Sequence, residues 1–250
     1  MSLLEIDDVS KRFGSLVAVR GVSLAVEPGE MRAVIGPNGA GKTTFFNLIT
    51  GHLRPDRGSV SFEGRDLVGL PPQKIVRLGI ARSFQRINIY PRLTVFENVQ
   101  VALIAHEHQQ WNLFRPGRSL YREGTQELLD LVGLAGEAAE TAGELSYGKQ
   151  KQLELAIALA SQPRLLLLDE PTAGMSPQET AETIASVRDI VKARGLTLLF
   201  TEHDMAVVFG IAERISVLHH GEIIASGEPD AVRNDPEVRR VYLGEGGGHD

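Results

Sequence analysis

The run Gly36-Pro37-Asn38-Gly39-Ala40-Gly41-Lys42-Thr43 fits G-x-x-x-x-G-K-[ST]. That spacing holds phosphates: glycines let successive backbone N–H groups turn into one concavity without Cβ clashes. Lys42 adds a point charge at the β/γ-phosphates, the Thr43 hydroxyl reaches Mg²⁺, and Thr44 follows at the same helix start. The flanking residues agree. Met31–Ile35 reads as a strand, and Lys42–Thr50 as a helix whose N-terminus favours an anion. The chemistry expected here is nucleoside triphosphate binding with Mg²⁺.

Two further runs carry chemistry. Leu165-Leu166-Leu167-Leu168 is a short, continuous apolar segment that ends in Asp169-Glu170. It reads as a buried parallel strand with its functional groups at the carboxyl end. With a phosphate loop upstream, Asp169 stands where a Walker-B aspartate holds Mg²⁺. Glu170, one position on, is placed to orient or deprotonate an attacking water. Leu145-Ser146-Tyr147-Gly148-Lys149-Gln150 opens a helix over Tyr147–Ser161, with Leu153, Ala156, Ile157 and Ala160 on one face. Ser146 and Gly148 there offer a hydroxyl, backbone N–H groups and a positive helix end to an anion. Taken alone, Ser146 is an ordinary N-cap.

The elements that must position these groups alternate in type. Val22, Leu24 and Val26 would share one strand face, and Val60 and Phe62 repeat the pattern. Glu27-Pro28-Gly29-Glu30 is a turn before the strand feeding the phosphate loop. Gln73–Leu78 reads as a short helix. Thr94-Val95-Phe96-Glu97 is a capping box, and Val95, Val99, Ala102 and Leu103 continue it as an apolar helical face. His106–Arg122 breaks the periodicity with polar, basic and aromatic residues. Ser176-Pro177-Gln178-Glu179 starts another helix, and Leu196–Thr201 reads as another buried strand followed by Glu202-His203-Asp204. The order is that of an α/β fold: a P-loop NTPase core with a mixed or parallel central sheet, an N-terminal antiparallel β-subdomain and an inserted helical subdomain. One domain is expected over 1–244, its core about 1–85 and 162–244 and its helical part about 86–161, with 245–250 a flexible tail.

The whole-chain numbers narrow the class. At 250 residues and 42% hydrophobic, the chain can bury a core. A net charge of −6 argues against extended nucleic-acid contact. Without cysteine there are no disulfides or thiolate metal sites. No signal-peptide pattern opens the sequence, and no apolar run approaches the ~20 residues of a membrane span. A soluble, cytoplasmic chain is expected, with any membrane role supplied by a partner.

Together these motifs resemble the ATP-binding-cassette (ABC) family along essentially the whole chain. The resemblance implies further roles. Phe13 is similar to the aromatic that stacks on adenine. Gln85, in Arg82-Ser83-Phe84-Gln85, is similar to the glutamine that joins Thr43 and Asp169 at Mg²⁺ and γ-phosphate. His203 is similar to the switch histidine at the γ-phosphate. Leu145–Lys149 resembles the family signature Leu-Ser-Gly-Gly-Gln, which implies a composite site: Ser146 and Gly148 would cover ATP held by the phosphate loop of a second ATPase subunit, related or identical. Three positions depart from the pattern: Tyr147 for glycine, Lys149 for glutamine, and Ser176 where an aspartate is common.

Within the family, Gly79-Ile80-Ala81-Arg82-Ser83-Phe84-Gln85, Leu145–Gly148, Ala173-Gly174-Met175, Glu202–Met205 and Pro236–Gly244 resemble the ATPases of bacterial branched-chain amino-acid importers. The resemblance implies integral-membrane permease subunits, docked near Arg86–Arg92 at the cytoplasmic face of the inner membrane, and indirectly a periplasmic binding protein. The same C-terminal segment also resembles the ATPase of lipopolysaccharide export. Urea or other small-solute uptake, and a non-transport cassette ATPase, are the remaining readings.

Overall fold

The computed structural model describes residues 2–83, 88–106 and 120–244. In chain order the strands are β1 (Leu4–Phe13), β2 (Leu16–Val26), β3 (Met31–Ile35), β4 (Arg57–Phe62), β5 (Arg65–Asp66), β6 (Ile80–Arg82), β7 (Leu165–Asp169), β8 (Thr197–Thr201), β9 (Arg214–His219) and β10 (Glu222–Gly227). The helices are α1 (Lys42–Ile49), α2 (Pro72–Arg77), α3 (Val95–His106), α4 (Arg122–Leu131), α5 (Tyr147–Leu159), α6 (Pro177–Arg194), α7 (Met205–Ile211), α8 (Pro229–Asn234) and α9 (Pro236–Gly244). They fall into two compact units, Met1–Ile75 with Leu196–Asp250, and Val76–Gly195.

The first unit holds an antiparallel sheet in the order β2-β1-β4-β5. Alternation sets its buried face: Leu4, Ile6, Val22, Leu24, Val26, Val60 and Phe62 are all buried. The same unit pairs β3 in parallel with both β8 and β9, and β10 antiparallel with β9. Every residue of β3 and β8 is buried. A strand covered on both faces is therefore continuous rather than alternating in its apolar residues. Arg32 in β3 is the exception in type, and its Nε pairs with Glu30 Oε1 at 2.5 Å.

In the second unit β6 runs parallel to β7, Ile80 opposite Leu165 and Arg82 opposite Leu167. Helices α3, α4 and α5 pack on one another, and α5 also meets α6 and β6. That cover corrects the one-sided face expected on α5. Ile157 is only half-buried, as is Ala102 on α3, while Leu155, Ala158 and Leu159 are buried beside Leu153, Ala156 and Ala160. The Thr94 box forms both of its bonds: Thr94 Oγ1 accepts from Glu97 N at 3.1 Å, and Glu97 Oε2 accepts from Thr94 N at 3.0 Å. Several bounds shift by a residue or two: the expected helices end at Ile49, Arg77 and Leu159, and β8 starts at Thr197. Among the described residues no helix is long and apolar enough to cross a membrane.

Candidate functional site

The phosphate loop leaves the carboxyl end of β3 in the first unit and closes on α1. Two of its glycines are sterically required. A Cβ on Gly36 would stand 2.1 Å from the Leu218 carbonyl oxygen, and one on Gly41 would stand 2.3 Å from that of Ala18. Gly41 also takes φ 107° as the N-cap of α1, a left-handed value that side chains disfavour. Gly39 takes φ 79° with open space around it. The loop's carbonyls are tied down: Pro37 O accepts from Ala40 N at 3.2 Å, and Ala40 O accepts from Gly221 N at 2.9 Å. Lys42 is buried, and its Nζ donates to Gly36 O at 2.6 Å and Pro37 O at 3.2 Å. Asn38, Gly39 and Thr43 are exposed on the rim, and Pro37 and Thr44 are half-exposed. The first-turn N–H groups of a helix have no partner inside it. A backbone cradle with no room for side chains, a lysine in its curl and a hydroxyl on its rim fit a nucleotide's phosphates.

Two other candidate residues lie in the same unit. Phe13 is 46% exposed at the tip of the β1–β2 hairpin. Ala18, just beyond that tip, is the β2 residue lying against Gly41, so the hairpin is anchored at the phosphate loop. His203 follows β8, whose parallel register with β3 pairs Ala33 with Phe200. Gly36 and Glu202-His203 therefore leave the sheet at the same edge. The backbone of His203 is pinned: its N–H donates to the buried Glu202 carboxylate at 3.1 Å, and Asp204 next to it caps α7. Its side chain is exposed.

The second unit holds the acidic pair. Asp169 ends β7 and is 3% exposed. Its Oδ2 accepts from Arg82 Nη2 at 2.9 Å, with both side chains nearly buried. Glu170 follows at φ 50°, immediately before Pro171.

The Leu145–Gln150 run is in the second unit too. Ser146 caps α5, its hydroxyl accepting from Lys149 N at a long 3.5 Å. Gly148 is buried, and a Cβ there would meet Glu179 Oε1 at 3.2 Å. Tyr147 is 44% exposed, and a Cβ on Gly174 would touch its ring at 3.5 Å. Lys149 forms an ion pair with Glu137, which holds the Glu137 carboxyl below its ordinary value and raises the lysine. Gln150 Nε2 turns inward to Leu145 O at 2.9 Å.

Gln85, with Phe84, Arg86 and Ile87, lies outside the described residues, as do 107–119. Immediately after that first gap, Asn88 N donates to Glu154 Oε1 at 3.2 Å, and Glu154 pairs with Lys151 at 3.3 Å. In the sequence Arg82 stands out only as a neighbour of Gln85, and Glu154 and Lys151 only as polar positions of a helix. The available signal is a charged residue at the end of an apolar strand, with no indication of its partner.

Comparison with known proteins gives a consistent picture. Residues 19–173 match the family model described as ABC transporter, and residues 222–248 that of the branched-chain amino acid ATP-binding cassette transporter. Over 254 residues the chain is 40% identical to the high-affinity branched-chain amino acid transport ATP-binding protein LivG of Salmonella typhimurium, covering 97% of this chain and 98% of that one. It is 36% identical to the lipopolysaccharide export system ATP-binding protein LptB of Acidithiobacillus ferridurans, covering 97% of each. Among solved structures it matches the ADP conformation of MJ1267, an ATP-binding cassette of an ABC transporter, with TM-score 0.86, 33% identity and coverage of 98% and 99%. It also matches the dimeric post-hydrolysis cassette MJ0796 bound to ADP and Pi, with TM-score 0.78, 26% identity and coverage of 90% and 98%.

Proposed function

The chain belongs to the ABC transporter family, and from that premise we propose that it is the ATP-hydrolysing subunit of a bacterial importer for branched-chain amino acids. The observation that carries the substrate class is the match of residues 222–248 to the branched-chain amino acid cassette model. The full-length relation to LivG supports it. The chain itself powers transport and does not touch the amino acid. Integral-membrane permease subunits carry the solute, a periplasmic binding protein delivers it, and this subunit sits at the cytoplasmic face of the inner membrane. One cassette spans 1–244, with 86–161 as its helical subdomain.

The residues take these roles in the proposed reaction. The N–H groups of Gly39 and Gly41–Thr44 and the Lys42 ammonium hold the β- and γ-phosphates, with Gly36, Pro37, Asn38 and Ala40 shaping the loop around them. Phe13 stacks on adenine. Thr43, Asp169 and Gln85 would hold Mg²⁺, which supplies charge neutralisation at the phosphate oxygens. Glu170 takes a proton from the attacking water as its oxygen bonds to the γ-phosphorus, and the bond to the β–γ bridging oxygen breaks to release ADP. His203 contacts the γ-phosphate. Ser146 and Gly148 close the site from a second ATPase subunit, so that binding becomes motion.

Uptake of labelled leucine, in a strain lacking this chain's gene, tests the reading. Wild type should restore uptake and Glu170→Gln should not. Normal leucine uptake in the deletion strain, with lipopolysaccharide held at the inner membrane, would move the assignment to export, which the 36% identity to LptB keeps as the second reading.

A further inference from the structure

A carboxylate that holds Mg²⁺ must be aimed at the ion. Asp169 is buried at the end of a fully buried strand, where an isolated negative charge is strongly disfavoured. The fold places a cation beside it. Arg82 ends β6, opposite Leu167 of β7, and the next residue, Ser83, donates its N–H to Leu167 O at 2.9 Å. That registry holds the arginine alongside the carboxyl end of β7. Its Nη2 reaches Asp169 Oδ2 at 2.9 Å, with the two side chains 5% and 4% exposed. Screening by solvent is small at that depth, so the attraction is felt strongly.

We propose that Arg82 is the resident counter-charge of Asp169: it holds the carboxylate oriented in the Mg²⁺-free protein and competes with Mg²⁺ for it. The inference rests on the reading of Asp169 as an Mg²⁺ ligand. Arg82 is a positioning residue, since it acts through Asp169. Two cations at one carboxylate repel each other. The arginine therefore has two effects of opposite sign. It stabilises the protein without Mg²⁺, because removing one partner of a buried pair strands the other. It also raises the Mg²⁺ concentration that nucleotide binding requires. A side chain that merely packs would produce the first effect without the second.

The test is Mg²⁺ titration of fluorescent ATP-analogue binding to the full chain, with melting measured in EDTA. Arg82→Met should melt lower in EDTA and reach half-saturation at roughly tenfold lower Mg²⁺ or less, since a like charge a few ångströms away in a buried site disfavours the ion by at least that factor. Arg82→Lys should restore both values towards wild type. If Arg82→Met does not fold, Arg82→Gln keeps a donor without the charge and should show the same drop in half-saturation. A lower melting point with an unchanged or higher Mg²⁺ requirement would overturn the proposal. Asp169→Asn separates the premise: if it leaves the Mg²⁺ requirement at the wild-type value, the ligand assignment fails rather than the role of Arg82.

Discussion

Glu170 holds φ 50° directly before Pro171. A left-handed backbone costs a side-chain-bearing residue about 1–2 kcal/mol, and a following proline steers its neighbour towards extended values. The position is thus strained, and strain of this kind collects at functional sites. It sets the direction in which the chain leaves β7, immediately after the buried Asp169, and so where the Glu170 carboxylate can stand. Glu170→Gln preserves shape and backbone while removing the proposed base. Turnover should fall by roughly 10²–10⁴-fold, the usual worth of a positioned general base, with nucleotide affinity unchanged. Phosphate release and equilibrium binding measured on the same preparation check it. Unchanged turnover would move water activation to another residue.

At the scale of elements, local signals were the legible ones. The capping boxes at Thr94 and Ser176 close as their own four residues dictate, and the phosphate loop follows its own glycines. What remained hidden depends on partners far along the chain. Arg82 and Asp169 are 87 positions apart. Ala18 meets Gly41 only after β2 is laid against the loop. Helix α5 is buried on more than one face because three helices and a strand surround it, and no periodicity in its own sequence says so. The Ser176 box also yields an element-scale prediction, since it starts α6 beside Gly148. Ser176 Oγ accepts from Glu179 N at 3.3 Å, and Glu179 Oε2 accepts from Ser176 N at 2.9 Å. Ser176→Ala should cost about 1 kcal/mol of stability. The Ser176 N–H holds the Glu179 carboxyl below its ordinary value of 4.5, with the hydroxyl adding to it. A carboxyl lowered by folding stabilises above its unfolded value and stops doing so as pH falls through the folded one. The stability advantage of wild type over Glu179→Gln should therefore be full at pH 7 and shrink as pH drops below 4.5, as denaturant unfolding at both ends of that range would record.

At the scale of the whole molecule, the proposed composite site needs a second subunit, and the similar cassette MJ0796 is dimeric. Ser146 caps its own helix with a long bond, which leaves the hydroxyl weakly committed. Lys149, where the family places a glutamine, is engaged by Glu137, and Gln150 turns inward to Leu145. The surface that a second subunit's nucleotide would meet therefore rests on the exposed Ser146 and Tyr147, since Gly148 is buried. Two copies each carrying −6 repel at low ionic strength, and salt near 0.15 M, with a Debye length of about 8 Å, screens most of that. Under those conditions Glu170→Gln with ATP and Mg²⁺ should scatter light as a dimer, because ATP stays unhydrolysed between the two copies. Wild type should dimerise only transiently. Ser146→Glu, in the Glu170→Gln background, should bind ATP and remain a monomer, since a carboxylate would face the second copy's phosphates and repel them. If Glu170→Gln binds ATP and is monomeric as well, Tyr147 and Lys149 have removed self-pairing. The partner is then a different cassette whose own signature completes this phosphate loop, and mixing the two chains with ATP should restore the dimer mass.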